Sequence, residues 1–141
     1  MTIPIFLLVS VAGGFGAAAR LVVDSLVAAR LGNRYPFGTT LINITGSFLL
    51  GLVVGLAGEA AVLIGMTGLS LTGASDIPHD LRLVLGTGLL GGYTTFSTAS
   101  FDTVRLLRAR RYAAAVANGV GMLVVSVLAA VLGLLVASSL I

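Results

Sequence analysis

Four apolar segments, each long enough to cross a lipid bilayer, occupy most of this 141-residue chain. A membrane-spanning helix needs about 20 predominantly apolar residues. Segments 3–27, 37–58, 83–104 and 112–140 meet that requirement. Charged residues make up only 9% of the chain, whereas about a quarter of a soluble domain is charged. The pattern predicts an all-α membrane protein in which four transmembrane helices form one domain over residues 1–141.

The connections between these segments differ in length and in charge. The first and third are short and hold six of the eight arginines (Arg30, Arg34, Arg105, Arg108, Arg110 and Arg111). The second, 59–82, holds Arg82 and a short apolar piece, 60–71, which is either an interfacial helix or a helical extension. Positive residues in short loops stay in the cytoplasm. We therefore expect the first and third connections to be cytoplasmic and both termini to lie outside.

Composition excludes several classes of function. The chain has no cysteine, and its single histidine, His79, lies in a polar connection beside Pro78. No nucleophile–base set or metal-ligand cluster is evident, so we do not expect an enzyme, and no basic run is dense enough for nucleic acid. The apolar N-terminus lacks the positive start of a secretory signal, so we expect it to be retained as the first helix.

The third apolar segment contains the sequence GGYTTFST at residues 91–98. Non-helical backbone survives at membrane depth only where it is buried in protein or lines a wet cavity. Two adjacent glycines and a run of hydroxyls predict a broken helix that presents polar groups to a small ion. The alternative is a glycine-lined helix crossing whose Ser and Thr side chains bond back to the preceding turn.

Polar residues also form a stripe on the second helix. Thr40, Asn43 and Ser47 share one helical face. Interhelical hydrogen bonding is the commoner use of such residues, and a place in an ion pathway is the alternative. On the first helix, Arg20 and Asp24 are four residues apart. They either form an ion pair, or Arg20 faces an aqueous vestibule and gathers anions. No carboxylate is expected in the membrane, which argues against proton coupling.

These motifs together resemble the Fluc/CrcB family of fluoride channels over nearly the whole chain. The similar stretches are GGFGA at 13–17 with Arg20, FGT through NITGSFLLG at 37–51, GGYTTFST at 91–98 and, more weakly, NGVG at 118–121. The resemblance implies a subunit of an antiparallel dimer in the cell membrane that lets fluoride leave the cell passively.

Specific roles also follow from the resemblance. It implies a structural sodium ion, not transported, held by the backbone carbonyls of Gly91 and Thr94. It places Asn43, Phe96, Ser97 and Thr98 along the fluoride pathway. Neutral amide and hydroxyl donors and the positive edge of an aromatic ring suit an anion that must shed water and still be released.

One position departs from the family pattern. A second phenylalanine usually follows the first by three residues, and here that position is Ala99. A non-conducting structural subunit is therefore one alternative function. Together with the arginine bias, the departure also suggests a heterodimer with an oppositely oriented paralogue. A small four-helix efflux transporter is a weaker alternative, because such proteins depend on a glutamate in the first helix, which this chain lacks.

Overall fold

The computed structural model describes residues 2–57 and 78–140, and every regular element in those two ranges is a helix. Helix α1 is Ile3–Leu31 and α2 is Phe37–Leu56. Helix α3 spans 79–93, α4 is Phe96–Arg108, and α5 is Tyr112–Ser138. The all-α prediction is confirmed. The predicted apolar piece at 60–71 lies outside the described residues.

Three of the described helices are long and apolar enough to cross a membrane by themselves. They are α1, α2 and α5. Only 6% of the most apolar stretch of α1 is buried inside the protein. An apolar helix with so little protein cover needs an apolar solvent around it, so the chain is a membrane protein.

Glycine and proline define the ends of α1. Pro4 stands in its first turn, where a missing N–H costs nothing. At the other end Gly32 adopts a φ of 73° and donates its N–H to the Ala28 carbonyl. That left-handed conformation is one that glycine adopts at little cost. The helix therefore continues to Leu31, beyond the predicted end at residue 27.

The third predicted segment is not a single α-helix. Helix α3 contains a π-helical stretch at Leu83–Leu90, between α-helical turns at His79–Arg82 and Gly91–Tyr93. Helix α5 contains a second π-helical turn, Ala117–Gly121. Such wide turns alter the backbone hydrogen bonding locally and often occur at functional sites. Between α3 and α4, the chain is extended at two residues.

The helices pack in two pairs through small residues. Helix α1 packs on α3, where a Cβ at Gly16 would collide with the Leu89 carbonyl and one at Gly92 would collide with Gly13. Helix α2 packs along α5, where Gly51 faces the backbone of Ala130. Small residues at such crossings let backbones approach closely. Gly55, four residues after Gly51, faces Ala137 of α5, so both glycines serve a contact within the chain.

Candidate ion pathway at the interrupted helix

The interruption between α3 and α4 consists of two extended threonines. Thr94 has φ −73° and ψ 159°, and Thr95 has φ −151° and ψ 119°. Thr95 then caps α4, because its hydroxyl oxygen accepts the Thr98 N–H at 3.2 Å. Threonine is a favoured residue at a helix N-cap. The helix therefore stops at Tyr93 and restarts at Phe96 with its first turn satisfied by a side chain.

Asn43 of α2 holds this interruption by both ends of its carboxamide. Its Nδ2 donates to the Thr95 carbonyl at 2.9 Å, and its Oδ1 accepts the Thr95 N–H at 2.8 Å. In a continuous α-helix the Thr95 N–H would donate a hydrogen bond to the Gly91 carbonyl, four residues earlier in the chain. By taking that donor, Asn43 leaves the Gly91 carbonyl without its intrahelical partner.

Arg20 of α1 reaches the same interruption. Its Nη1 donates to the Thr94 carbonyl at 3.4 Å. Asp24 lies elsewhere, because its carboxylate contacts Gly38 at the start of α2. Of the two alternatives left by the sequence, the ion pair with Asp24 is not formed among the described residues. A guanidinium beside the carbonyl end of α3 complements the helix dipole.

The other residues predicted for the pathway lie on the outside of the single chain. Phe96 is 85% exposed, and Ser97 and Thr98 are exposed beside it. Their hydroxyls turn towards Thr95, whose Oγ1 donates to Thr98 Oγ1 at 3.0 Å and lies 3.3 Å from Ser97 Oγ. Asn43, in contrast, is buried. The structure therefore places Asn43 in the interior and the other three at the surface, and a single cavity reaches both Asn43 and Phe96.

A cavity of about 570 Å³ opens beside the interruption, between α4 and α5. Most of its wall is apolar, and Ala99 contributes only a methyl group to it. Its polar wall residues are Asn43, Ser47, Thr94, Thr95, Ser100, Thr103 and Ser126. Within the described part of the chain, the buried Ser126 hydroxyl has no hydrogen-bond partner. The hydroxyls of Thr94, Ser100 and Thr103 already donate to carbonyls of the preceding turn, and that of Thr95 donates to Thr98. Among the described residues, the polar groups of this wall without such a bond are the hydroxyls of Ser47 and Ser126 and the carboxamide of Asn43.

A buried carboxylate lies within the third predicted segment. Asp102 of α4 is 6% exposed. Its Oδ2 accepts the Thr39 hydroxyl at 3.0 Å, and its Oδ1 lies 3.2 Å from Arg105 Nη2. Asp102 lies near the end of that segment, and the absence of a carboxylate from the membrane interior stays a prediction. The burial of Asp102 depends on α2, which the spacing within α4 does not reveal.

Asn118 is a second polar residue whose position could not be read from the sequence. It is fully buried on α5, and its Nδ2 donates to the Ala99 carbonyl at 3.1 Å and to Thr103 Oγ1 at 2.8 Å. Its Oδ1 has no partner in the ranges that the structure describes. Asn118 therefore ties α5 to α4 one turn beyond the interruption.

A cation at this site would need backbone ligands. Nowhere in residues 2–57 and 78–140 do three His, Cys, Asp or Glu side chains gather into a metal site. The last carbonyls of a helix, by contrast, lack intrahelical donors and carry the negative end of its dipole. The carbonyl of Gly91 is such a terminal carbonyl without its intrahelical donor. The carbonyl of Thr94 belongs to the first residue after the helix ends.

Comparison with known proteins gives a consistent set of matches. The family described as "CrcB-like protein, Camphor Resistance (CrcB)" matches residues 7–134. "Fluoride-specific ion channel FluC 1" of Leifsonia xyli subsp. xyli is 48% identical over 95% of this chain and 87% of its own length. "Fluoride-specific ion channel FluC 2" of Cutibacterium acnes is 40% identical over 92% of this chain and 94% of its own. The protein of that name from Mycobacterium tuberculosis is 39% identical over 94% and 90%, respectively.

Proposed function

Since the chain belongs to the CrcB-like family, we propose that it is a subunit of a fluoride-specific channel through which fluoride leaves the cell passively. The observation that carries this proposal is the similarity, over more than nine-tenths of the chain, to proteins named as fluoride-specific ion channels. A channel of this kind carries out no chemical reaction, and the chain is not an enzyme.

The donor set at the interruption supports this function. The Nδ2 atom of Asn43 carries two N–H groups. One donates to the Thr95 carbonyl, and the other faces the sulfur of Met122, which lies 3.5 Å from Nδ2. Sulfur is a weak acceptor, so the second N–H remains available to an anion in the cavity. We assign Asn43 to the fluoride pathway on this basis, with Phe96, Ser97 and Thr98 at its outer side. Arg20, close to the Thr94 carbonyl, attracts the anion towards the interruption.

Neutral donors fit the ion to be carried. Fluoride binds water strongly, so a pathway must replace that water with hydrogen-bond donors. It must also release the ion at the far end, which requires several weak sites instead of one strong one. The cavity wall contains the carboxamide of Asn43 and the hydroxyls of Ser47 and Ser126 as neutral donors, and the chain contains no lysine. An ammonium group in the pathway would hold fluoride too tightly.

A structural sodium ion at the carbonyls of Gly91 and Thr94 is part of the proposal. The bonding of the Thr95 N–H supports this site. That N–H donates to Asn43 and not to the Gly91 carbonyl, so the carbonyl has no intrahelical donor and can bind a cation. Arg20 is the competing group, because its guanidinium already contacts the Thr94 carbonyl. A crystal soaked in a heavier monovalent cation should show an anomalous peak at these carbonyls. Water or no density there would contradict the sodium site.

We also propose that four transmembrane helices, the third interrupted, assemble as an antiparallel dimer in the cell membrane. The exposed faces of Phe96 and Phe101, 85% and 67% accessible, would lie against the second subunit. The arginine bias favours a heterodimer with a paralogue of opposite orientation. In either assembly the interruption of one subunit would meet that of the other near the dimer axis.

A non-conducting structural subunit is the second candidate function. One observation favours it: Ala99 leaves the cavity wall without the aromatic ring that the family pattern has at this position. The efflux-transporter alternative is not favoured by the relatives, which are all named as channels.

Growth of a fluoride-sensitive bacterial strain that lacks its own fluoride exporter tests the proposal. Expression of this chain should restore growth in millimolar-range fluoride. Rescue that occurs only when a paralogue is expressed with it would favour the heterodimer. Failure of both, with the protein present in the membrane, would contradict the proposed function.

A further inference from the structure

The arginines of the first and third connections gather at one end of the molecule. The guanidinium of Arg111 donates to the backbone carbonyl of Arg34, which joins the two connections directly. The hydrogen bond between Thr39 and Asp102, 3.0 Å long, holds the start of α2 to α4 at the same end. We call the resulting group the arginine cluster: Arg30, Arg34, Arg105, Arg108, Arg110 and Arg111.

Most of this charge has no acidic partner. Arg105 pairs with Asp102 at 3.2 Å, and it is the one member that forms an ion pair within the described residues. All members are exposed except Arg111, which is half-buried. Arginine presents a rigid fork of donors that matches a phosphate group. The arginine cluster is thus an exposed, uncompensated set of phosphate-type donors.

Aromatic residues of a kind found at membrane surfaces flank the arginine cluster. Tyr112 follows Arg111 and is 61% exposed, while the rings of Tyr35 and Phe37 pack with centroids 4.8 Å apart beside Arg34. Tyrosine concentrates where the hydrocarbon of a membrane meets its polar surface. Because these rings lie next to the arginines along the chain, they favour a position of the guanidinium groups near lipid phosphates.

A shallow apolar groove lies on the last two turns of α1, next to the arginine cluster. It measures about 270 Å³ and is lined by Leu26, Val27, Arg30 and Leu31. Leu26 and Leu31 are 58% and 60% exposed. Within the described part of the chain, Arg30 is therefore the one charged residue on a surface that is otherwise aliphatic. A charged fork above an aliphatic groove matches a phospholipid, which has a phosphate above an acyl chain.

We propose that the arginine cluster binds the headgroup of an anionic phospholipid whose acyl chain lies in the groove beside Leu26 and Leu31. Clusters of four to eight basic residues at the membrane surface bind anionic lipids in this way. The preference for an anionic headgroup comes from the arginines, and the groove distinguishes a lipid from a soluble phosphate. This inference does not depend on which ion the protein conducts.

Native mass spectrometry of the full-length protein in detergent tests the proposal, with phosphatidylglycerol and phosphatidylcholine titrated separately. Phosphatidylglycerol should bind preferentially. In a variant with Arg30→Gln, Arg34→Gln and Arg108→Gln, its affinity should fall roughly fivefold for each arginine removed, corresponding to about 1 kcal/mol each. Arg111 is unchanged in that variant, so the contact with the Arg34 carbonyl is kept. Detergent removes any effect of the substitutions on membrane orientation.

Two controls accompany this measurement. The same three positions changed to lysine keep the charge, and phosphatidylglycerol binding should stay within a few fold of the original. Glycerol 3-phosphate, which has the phosphate and no acyl chain, should bind far more weakly than the lipid. Equal binding of the two lipids, unchanged binding by the glutamine variant with its helical content intact, or equal binding of glycerol 3-phosphate would each overturn the proposal.

Discussion

At the scale of single residues, the carboxamide of Asn43 carries more hydrogen-bonding groups than its bonds to Thr95 use. Its oxygen and one N–H fix the backbone of Thr95, while the remaining N–H faces the weakly accepting sulfur of Met122. The sequence left interhelical bonding and a pathway role as alternatives. The geometry is compatible with both, since the bonds that hold the interruption leave the spare donor beside Met122 on the cavity wall.

We predict that Asn43→Asp abolishes fluoride efflux. A carboxylate in the pathway repels the anion. It also loses the donor to the Thr95 carbonyl, which should lower the free energy of unfolding by about 1–3 kcal/mol without unfolding the protein. Efflux from liposomes, measured with a fluoride electrode, should fall to the leak of empty vesicles.

A matched control for this variant lies one turn away on the same helix. The Thr40 hydroxyl donates only to the Pro36 carbonyl of its own helix, so Thr40→Val should leave efflux close to the original rate. Original-rate efflux by the Asn43→Asp protein would refute the pathway role of Asn43.

The interrupted helix depends, at the scale of elements, on glycines that have different surroundings. A Cβ at Gly92 would collide with the backbone of Gly13 on α1. At Gly91 the nearest atom to such a Cβ is the Gly86 carbonyl oxygen, 3.7 Å away, which is ordinary contact. Gly92 is therefore needed for the packing of α1 on α3. Gly91 is not packed against another described helix of the chain, so its carbonyl is accessible at the interruption.

We predict that Gly92→Ala destabilises the protein and that Gly91→Ala does not. Forcing a methyl group into a packed helix crossing costs typically about 1–3 kcal/mol, whereas Gly91 has room for one. Thermal unfolding in detergent, followed by circular dichroism, should show a lower midpoint for Gly92→Ala alone. Equal losses of stability in the two variants would contradict these separate roles.

Much of this element-level structure was visible in the sequence, and some was not. The apolar segments predicted the helices because lipid leaves the backbone few alternatives, and the glycine–threonine run pointed to residues 91–98. The partners were not visible. That Asn43 meets Thr95 and that Thr39 meets Asp102 are contacts between distant segments. Arg20 and Asp24, neighbours along α1, likewise contact residues that are distant in the sequence, Thr94 and Gly38.

The whole molecule has an asymmetric distribution of charge. The connections joined by Arg111 and Arg34 hold six arginines, whereas the remaining connection and the termini hold Arg82 alone. Positive charge in short loops controls the orientation of insertion. A chain that inserts in both orientations needs a bias near zero, so an antiparallel assembly of this chain calls for a partner with the reverse bias.

We predict a single orientation, with the first and third connections in the cytoplasm and both termini outside. Fusions of the C-terminus to paired reporters, one active only in the cytoplasm and one only in the periplasm, measure it. The periplasmic reporter alone should be active. Equal activity of both would show dual insertion and would remove the argument for a heterodimer.

Anion efflux from liposomes that contain this protein alone tests the central claim most directly. Vesicles are loaded with fluoride or with chloride, and release is followed with electrodes specific for each ion. The pathway of neutral donors beside the interrupted helix predicts rapid release of fluoride and retention of chloride. If the paralogue is required, fluoride release should appear when the two proteins are reconstituted together. Vesicles that retain fluoride under both conditions, or that release chloride as fast as fluoride, would contradict a fluoride-specific channel.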